Sequence, residues 1–168
     1  MTEPSHSTVP PLVDAKRFWR VLGERAIGVT VVTAAGSSGP AGFLALSAAH
    51  VSADPPTMLV SIDRRTSAIA AVLESRHFAV NILGREHEAL SESFGGKSAE
   101  KHAERFAPDA WTTLRTGAPV LRAALGAFDC ALEEVIERQG VIIALGRVVD
   151  TVIRDAGDPL IYFRAKYL

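Results

Sequence analysis

The sequence predicts a mainly β protein folded as a barrel, with only a few short helices. Short runs rich in valine, isoleucine and alanine recur along the chain, and clusters of glycine, proline or serine separate them. Helical spacing of apolar residues is confined to short stretches. Strands also do not alternate regularly with helices, as they would in a doubly wound sheet. These three observations favour a barrel of antiparallel strands.

The composition is that of an ordinary globular protein. The chain has 168 residues, of which 48% are hydrophobic and 22% are charged. Its formal net charge is -1 and the basic residues are spread along the chain, so nucleic acid and anionic membranes are not expected as partners. The apolar runs are far shorter than the roughly 20 residues that a membrane-spanning helix requires.

We expect residues 1–13 to form a disordered tail and residues 14–168 to form a single domain. The first residues are rich in serine, threonine and proline, and they lack the basic start and apolar run of a secretory signal, so a cytoplasmic location is predicted. The single cysteine, Cys130, excludes an internal disulfide. It is expected to be a small buried hydrophobic residue.

The first predicted elements are a helix and a hairpin. Residues 14–25 place Phe18, Val21 and Leu22 at helical spacing, and this helix is expected to pack over one end of the barrel. Residues 28–35 are rich in β-branched side chains and predict a strand. The glycine, serine and proline cluster that follows predicts a turn into the second strand of a hairpin.

The stretch from residue 42 to residue 51 predicts a strand with unusually small side chains. They are Ala45, Ser47, Ala48 and Ala49. Small side chains either allow another element to pack closely or leave space for a ligand, and the sequence favours neither interpretation. Asp54-Pro55-Pro56 predicts a turn out of the sheet, because proline cannot donate to a ladder. Residues 57–63 predict a mostly buried strand.

A second helix is predicted after a polar loop. Its apolar side consists of Ile69, Val72 and Leu73. Thr66 or Ser67 can cap this helix. The same hydroxyls, with the free N–H groups of the first turn and Arg64 or Arg65 beside them, can instead receive a phosphate. The residues alone leave capping and phosphate binding open.

The second half of the chain predicts four more strands, at residues 77–83, 120–137, 141–149 and 159–163. Gly146 interrupts the third of them, and in the second Phe128, Cys130 and Leu132 are expected to face one way. A helix at residues 85–93 precedes a flexible, basic loop at residues 94–97.

The sequence lacks the patterns of a metal site or a side-chain catalyst. His87-Glu88 begins like His-Glu-x-x-His, but Ser91 stands at the position of the second histidine. Glu133 and Glu134 face opposite sides of a strand, so they cannot act together as acid and base. Hydroxyl, amide and backbone donors beside apolar walls instead indicate a site for a flat, phosphorylated cofactor that brings its own chemistry.

A collinear set of motifs spans residues 18–167: FWRVLGERAIGVTVVTA, VSADPPTMLVSIDRRTS, FAVNIL, a Phe-Gly-Gly loop and DPLIYFRAKY. In order and spacing they resemble the short-chain flavin reductase family. The resemblance implies the FMN-binding split β-barrel fold and reduction of FMN or FAD by NADH or NADPH. It also implies a homodimer with part of the flavin site near the subunit interface. The reduced flavin would pass to a partner flavin-dependent monooxygenase.

Carried over position by position, the resemblance implies cofactor contacts in three parts of the chain. The small-residue strand and its turn supply Leu46, Ser47, Ala48, Ala49 and Ser52. The polar loop near the phosphate supplies Arg64, Arg65, Thr66 and Ser67. The third part supplies Asn81, Phe94 and Lys97. The resemblance implies no catalytic side chain and no metal ligand.

The chain departs from the family pattern in three places. Leu44 and Leu46 stand where hydroxyl or amide side chains are common, and His50 stands in place of a serine. Val141 stands where many members have a histidine near the nicotinamide or flavin. Two alternatives therefore stay open. Beside the NAD(P)H-dependent flavin reductase, they are a flavin-binding carrier, sensor or subunit without free-flavin turnover, and a split-barrel enzyme with changed flavin chemistry.

Overall fold

A computed structural model describes residues 12–96 and 105–168, and strands dominate these residues. The helices are α1 (Ala15–Leu22), α2 (Ala68–Ser75) and α3 (Glu88–Phe94), with a 3-10 turn at Arg85–His87 before α3. The strands of the first half are β1 (Ile27–Gly28), β2 (Thr30–Gly36), β3 (Gly39–Ala45), β4 (Ala49–Ala53), β5 (Pro56–Asp63) and β6 (His77–Ile82). Those of the second half are β7 (Trp111–Thr113), β8 (Pro119–Leu121), β9 (Gly126–Arg138), β10 (Val141–Ile153), β11 (Ile161–Phe163) and β12 (Lys166–Tyr167).

Seven of the strands form one antiparallel sheet in the order β3-β2-β6-β9-β10-β5-β4. Its two edge strands, β3 and β4, are joined by residues 46–48 alone. So short a connection spans at most about 14 Å, so the sheet must curl until its edges lie close together. The edges do not pair with each other. This is the split barrel that the resemblance implied.

The hydrophobic residues alternate between two cores on opposite faces of the sheet. Val32 of β2 faces the barrel interior, where Phe43, Val60, Phe78 and Cys130 also lie. The preceding residue of β2, Val31, belongs to a second core on the outer face. The partners of Val31 there are Val29, Leu83, Phe94, Trp111, Leu121, Ala124 and Leu160. Alternation along a strand therefore supplies both cores from the same element.

Two stretches that the sequence predicts as single strands are divided. The predicted strand at residues 42–51 ends at Ala45 and resumes at Ala49, because the chain crosses between sheet edges there. The predicted strand at residues 120–137 becomes β8 and β9. Between them the Ala124 N–H donates to the Leu121 carbonyl over 3.1 Å, which closes a turn. In both places a tertiary crossing overrides a locally strand-like pattern.

The two predicted helix faces need correction. Helix α1 forms, with Asp14 accepting from the Arg17 N–H over 2.9 Å, but none of its residues is buried, so it does not pack over the barrel end. Phe18 and Trp19 are 54% and 65% exposed. In α2 the buried residues are Ala68, Ala71 and Val72, while Leu73 is 41% exposed.

Gly146 does not interrupt its strand as predicted, because β10 continues through it from Val141 to Ile153, but it lies at an irregularity of the ladder. The register between β10 and β9 shifts between Leu145 and Gly146. A β-carbon at Gly146 would stand 2.5 Å from the Phe78 ring and 2.9 Å from the Cys130 β-carbon. Glycine therefore lets the strand approach the packed interior at this point. No helix within the described ranges is long and apolar enough to cross a membrane.

Candidate cofactor site

The connection between the sheet edges runs along β5. Ala53 pairs with Pro56 and Ala49 with Leu59, and beyond them the exposed Ser47 hydroxyl donates to the Ser61 carbonyl over 3.0 Å. Residues 46–53 therefore run antiparallel to β5, and residues 46–48 lie near its C-terminal end. Small side chains in this stretch permit its backbone to lie close to β5 while leaving an open outer surface.

The polar loop at residues 63–67 begins at that same end of β5. Ser61, which Ser47 contacts, is two residues before Asp63, a separation of about 7 Å along a strand. The fold therefore brings the residue 46–48 connection and the residue 63–67 loop side by side. This placement joins two groups of predicted cofactor residues that the sequence separates.

Both arginines of the polar loop are held by carboxylates. The Arg65 guanidinium donates to both Asp63 carboxylate oxygens, over 3.0 and 2.7 Å, and the Arg65 N–H donates over 2.9 Å. These hydrogen bonds lower the pKa of Asp63 to about 2. Arg64 pairs with Glu137 at 2.8 Å. These pairs are exposed, so they exchange readily for another anion.

Thr66 and Ser67 retain unused hydroxyl groups. Ser67 occupies the cap position of α2, but its backbone is already helical at φ -60 and ψ -26, and its hydroxyl makes no capping bond. A capping residue normally adopts an extended backbone that turns its side chain toward the first-turn N–H groups. Neither hydroxyl has a hydrogen bond within the described residues. Plain capping is therefore not what these side chains do.

Ser52 has a local structural task. Its hydroxyl donates to the Asp54 carbonyl over 3.0 Å, and the Ser52 hydroxyl oxygen accepts from the Asp54 N–H over 3.1 Å. The side chain thus fixes the turn that joins β4 to β5. Of the predicted small-residue group, Ala48 packs against the barrel core and Leu46 against the second core. Leu46 can consequently offer only its backbone to a cofactor in the residue 46–48 connection.

Asn81 and Phe94 lie in the interior and not in either of the two loops. The Asn81 side chain is 0% exposed, and its amide donates to the Val31 carbonyl and the Thr33 hydroxyl, each over 3.1 Å. Its carbonyl oxygen accepts from the Leu121 N–H over 2.8 Å. Phe94 is 5% exposed and its ring centroid lies 5.9 Å from that of Trp111. Lys97 lies outside the described residues.

The departures from the family pattern have structural positions. Leu44 and Leu46 pack against the second core, which explains why apolar side chains stand there. His50 is exposed on the edge strand β4. Val141 pairs with Asp63 in the β10–β5 ladder and thus lies beside the polar loop. The position of the family histidine is therefore adjacent to the candidate site.

Among the described residues, the groups at this site are hydroxyls, backbone N–H groups and two paired arginines. Within residues 12–96 and 105–168, no group of histidine, cysteine, aspartate or glutamate side chains can hold a metal ion. Burial raises the pKa of the Cys130 thiol to about 12, so this thiol is not a nucleophile. The free hydroxyls, the first-turn N–H groups of α2 and the adjacent small-residue connection fit a flat ligand that carries a phosphate.

Sequence reasoning missed the groups that control this loop. Glu137 lies at the far end of β9, and only the β9–β10 hairpin brings it to Arg64. The close spacing of Asp63 and Arg65 is a signal that could have identified the other pair. The Ser61 carbonyl, which accepts from Ser47, has no side-chain signal at all.

Comparison with known proteins gives concordant results. Residues 22–168 match the family described as flavin reductase like domain. FMN reductase (NADH) RutF of Agrobacterium fabrum is 41% identical over 150 residues, which are 89% of this chain and 85% of that protein.

Solved structures agree with the sequence relatives. BorF, the flavin reductase component of a bacterial two-component tryptophan halogenase, is 29% identical with a TM-score of 0.83, over 92% of this chain and 97% of that one. The NADH:FAD oxidoreductase SgcE6 of Streptomyces globisporus is 28% identical with a TM-score of 0.82, over 95% and 98%. SgcE6 has also been solved with NAD and FAD fragments.

Proposed function

Because the chain belongs to the flavin reductase like family, we propose that it is an NAD(P)H-dependent flavin reductase that supplies reduced FMN or FAD to a partner monooxygenase. The observation that carries the proposal is the meeting of the residue 46–48 connection and the residue 63–67 loop at one end of β5. NADH is the proposed reductant, in line with the names of the relatives.

The chain's own residues have a binding and positioning role in this proposal. Thr66, Ser67 and the first-turn N–H groups of α2 hold the flavin phosphate, and Arg64 and Arg65 add charge when they exchange their carboxylate partners. Ala49 forms a low wall along the ring system, and the backbone of Ala48, whose side chain packs against the barrel core, lies beside it. A flavin held by these residues would supply the redox chemistry.

In this proposal, hydride transfer between two cofactors needs no nucleophilic side chain. The protein contributes by holding the two ring systems together and excluding water. Val141, which lies beside the loop, has no proton to donate.

Substitution of the two free hydroxyls tests the proposed phosphate contact. We expect Thr66→Ala with Ser67→Ala to weaken FMN binding about tenfold, because hydrogen bonds to a charged group are removed. The rate of NADH oxidation at saturating FMN should change little. Ser38→Ala, in the exposed turn between β2 and β3, is the matched control. Unchanged FMN affinity in the double variant would remove residues 66–67 from the site.

Val141 favours a second candidate function, in which flavin is bound but free flavin is not turned over. The same assay separates the two. NADH or NADPH oxidation that requires added FMN or FAD supports the reductase. Tight flavin binding with no nicotinamide oxidation would instead identify a carrier, a sensor or a subunit.

We also propose a homodimer, with residues 14–168 acting as one domain. The exposed apolar side chains of α1 support the dimer, since Phe18, Trp19 and Val21 are 54%, 65% and 67% exposed. The single domain is supported by the strands that the two hydrophobic cores share. A cytoplasmic location follows from the use of NADH, which is abundant there.

A further inference from the structure

A second concave region lies away from the proposed flavin loops. It is a cavity of about 400 Å³ between α3 and the hairpin formed by β7 and β8. None of the residues predicted to bind the cofactor lines it. Its apolar wall includes Ala89, Leu90, Trp111 and Leu121. A volume of this order accommodates a small organic molecule with one or two rings.

The charged side chains around the cavity leave a positive excess. They are Arg105, Arg122 and Asp109, and His87 also contributes to the lining. Burial lowers the pKa of His87, so its imidazole is neutral near pH 7. Two guanidinium groups thus face one carboxylate, and the cavity suits an anion better than a cation.

Arg105 is the least satisfied of these groups. Its Nε is the one buried side-chain nitrogen or oxygen without a hydrogen-bond partner among the described residues. Its guanidinium carbon lies 5.7 Å from the centroid of the Phe94 ring. Within the described part of the chain it has no ion pair, although Asp109 lines the same cavity.

An uncompensated guanidinium in a partly apolar wall attracts an anion more strongly than a solvated one, because less water screens the charge. The apolar remainder of the wall requires a ligand with a hydrophobic body. Trp111 belongs to an aromatic group, with its ring centroid 4.9 Å from that of Phe106. Aromatic rings pack favourably against such a group.

We propose that this cavity binds a small aromatic monocarboxylate, with the carboxylate at Arg105 and the ring between Leu90 and Trp111. The site is separate from the flavin site and does not depend on the proposed reductase activity. Ligand binding at it is therefore measured directly, without flavin or nicotinamide.

The tryptophan indole N–H signals in an NMR spectrum provide the readout. The chain has two tryptophans, and the Trp19→Phe variant identifies the signal of Trp111. The probes are 2-naphthoate and its neutral counterpart 2-naphthamide. We expect 2-naphthoate to shift the Trp111 signal and leave that of Trp19 in place. The amide should bind at least tenfold more weakly, because it lacks the charge.

Two arginine variants locate the contact. Arg105→Gln should weaken 2-naphthoate binding at least tenfold. Arg115→Gln, at an exposed arginine outside the cavity lining, should leave the affinity within twofold of the wild-type value. If Arg105→Gln does not fold, the comparison of the two probes on the wild-type protein still decides the matter.

Three results would overturn the proposal. The first is a Trp111 signal that does not respond to 2-naphthoate. The second is equal affinity for the acid and the amide, which would show that Arg105 does not recognise the carboxylate. The third is competition between FMN and 2-naphthoate, which would place the probe in the flavin site instead.

Discussion

At the scale of single residues, the polar side chains divide into those used within the fold and those left available. The side-chain amide of Asn81 makes hydrogen bonds with three partners inside the protein, including the Leu121 N–H. Asp129 is likewise buried and accepts from the Thr116 N–H over 2.8 Å. Thr66 and Ser67, by contrast, keep free hydroxyls at an exposed loop. The availability of a polar group, rather than its presence in a motif, decides whether it can bind a ligand.

Asn81→Ala should reduce stability and leave flavin affinity nearly unchanged. The substitution removes three buried hydrogen bonds and leaves the Leu121 N–H without its side-chain acceptor, at a cost of roughly 2–4 kcal/mol in the free energy of unfolding. Urea denaturation measures that cost, and FMN titration well below the melting temperature measures affinity. An FMN affinity reduced more than threefold, with stability intact, would return Asn81 to the cofactor site.

At the scale of elements, the β9–β10 hairpin contacts the polar loop at residues 63–67. Its tip brings Glu137 to Arg64, and the Gly140 carbonyl accepts from the Arg64 N–H over 3.0 Å. Gly140 has a φ of +71, which the tip requires and glycine adopts without strain. The hairpin therefore holds the loop in place and partly neutralises its charge.

Glu137→Gln should tighten FMN binding about two- to threefold at low salt, because Arg64 then adds an uncompensated positive charge beside the phosphate. The gain should disappear at high ionic strength, where the charge is screened. Stability should change by less than about 0.5 kcal/mol, since the pair is exposed.

Glu133→Gln is the control for that change. Glu133 also pairs with an arginine of β10, Arg147, which lies opposite Thr57 at the other end of β5. Its substitution should leave FMN affinity unaltered. Equal effects of the two variants would show that overall charge, and not the Arg64 pair, controls binding.

At the scale of the whole molecule, the apolar side chains of the barrel are buried in its two cores, whereas those of α1 are exposed. The helix connects to the barrel end through Arg164, whose guanidinium reaches Glu24 over 2.6 Å and whose N–H donates to the Gly23 carbonyl. Its apolar side chains meanwhile face outward. A second copy of the chain is the occupant that we propose for this face.

Phe18→Gln combined with Trp19→Gln should weaken the proposed dimer at least tenfold, because two large apolar side chains leave the interface. Sedimentation velocity over a range of protein concentrations measures the dissociation constant. Arg20→Gln, on the opposite side of α1, should not alter it. The dimer would be contradicted if the wild-type protein sediments as a monomer even at a concentration of about 100 μM.

The sequence by itself determined the element types and the polarity of the loops. Alternation and β-branched runs identify β2 and β5, the proline pair identifies the turn after β4, and Gly146 marks an irregular strand. Each of these signals depends on residues only a few positions apart. The loop at residues 63–67 was also visible as a group of donors.

Only the tertiary structure decided which elements meet and which polar groups are consumed. Ser47 reaches Ser61, Asn81 reaches Leu121 and Arg64 reaches Glu137 across 14, 40 and 73 positions of the chain. The order of the strands in the sheet determines these long-range contacts, and no local sequence pattern predicts them. The same long-range packing divided the stretch at residues 42–51, withdrew Phe94 into an aromatic core and left α1 exposed. Local sequence preference determines whether a stretch forms a helix or a strand. The surrounding tertiary structure determines which of its side chains are buried and which stay available for binding.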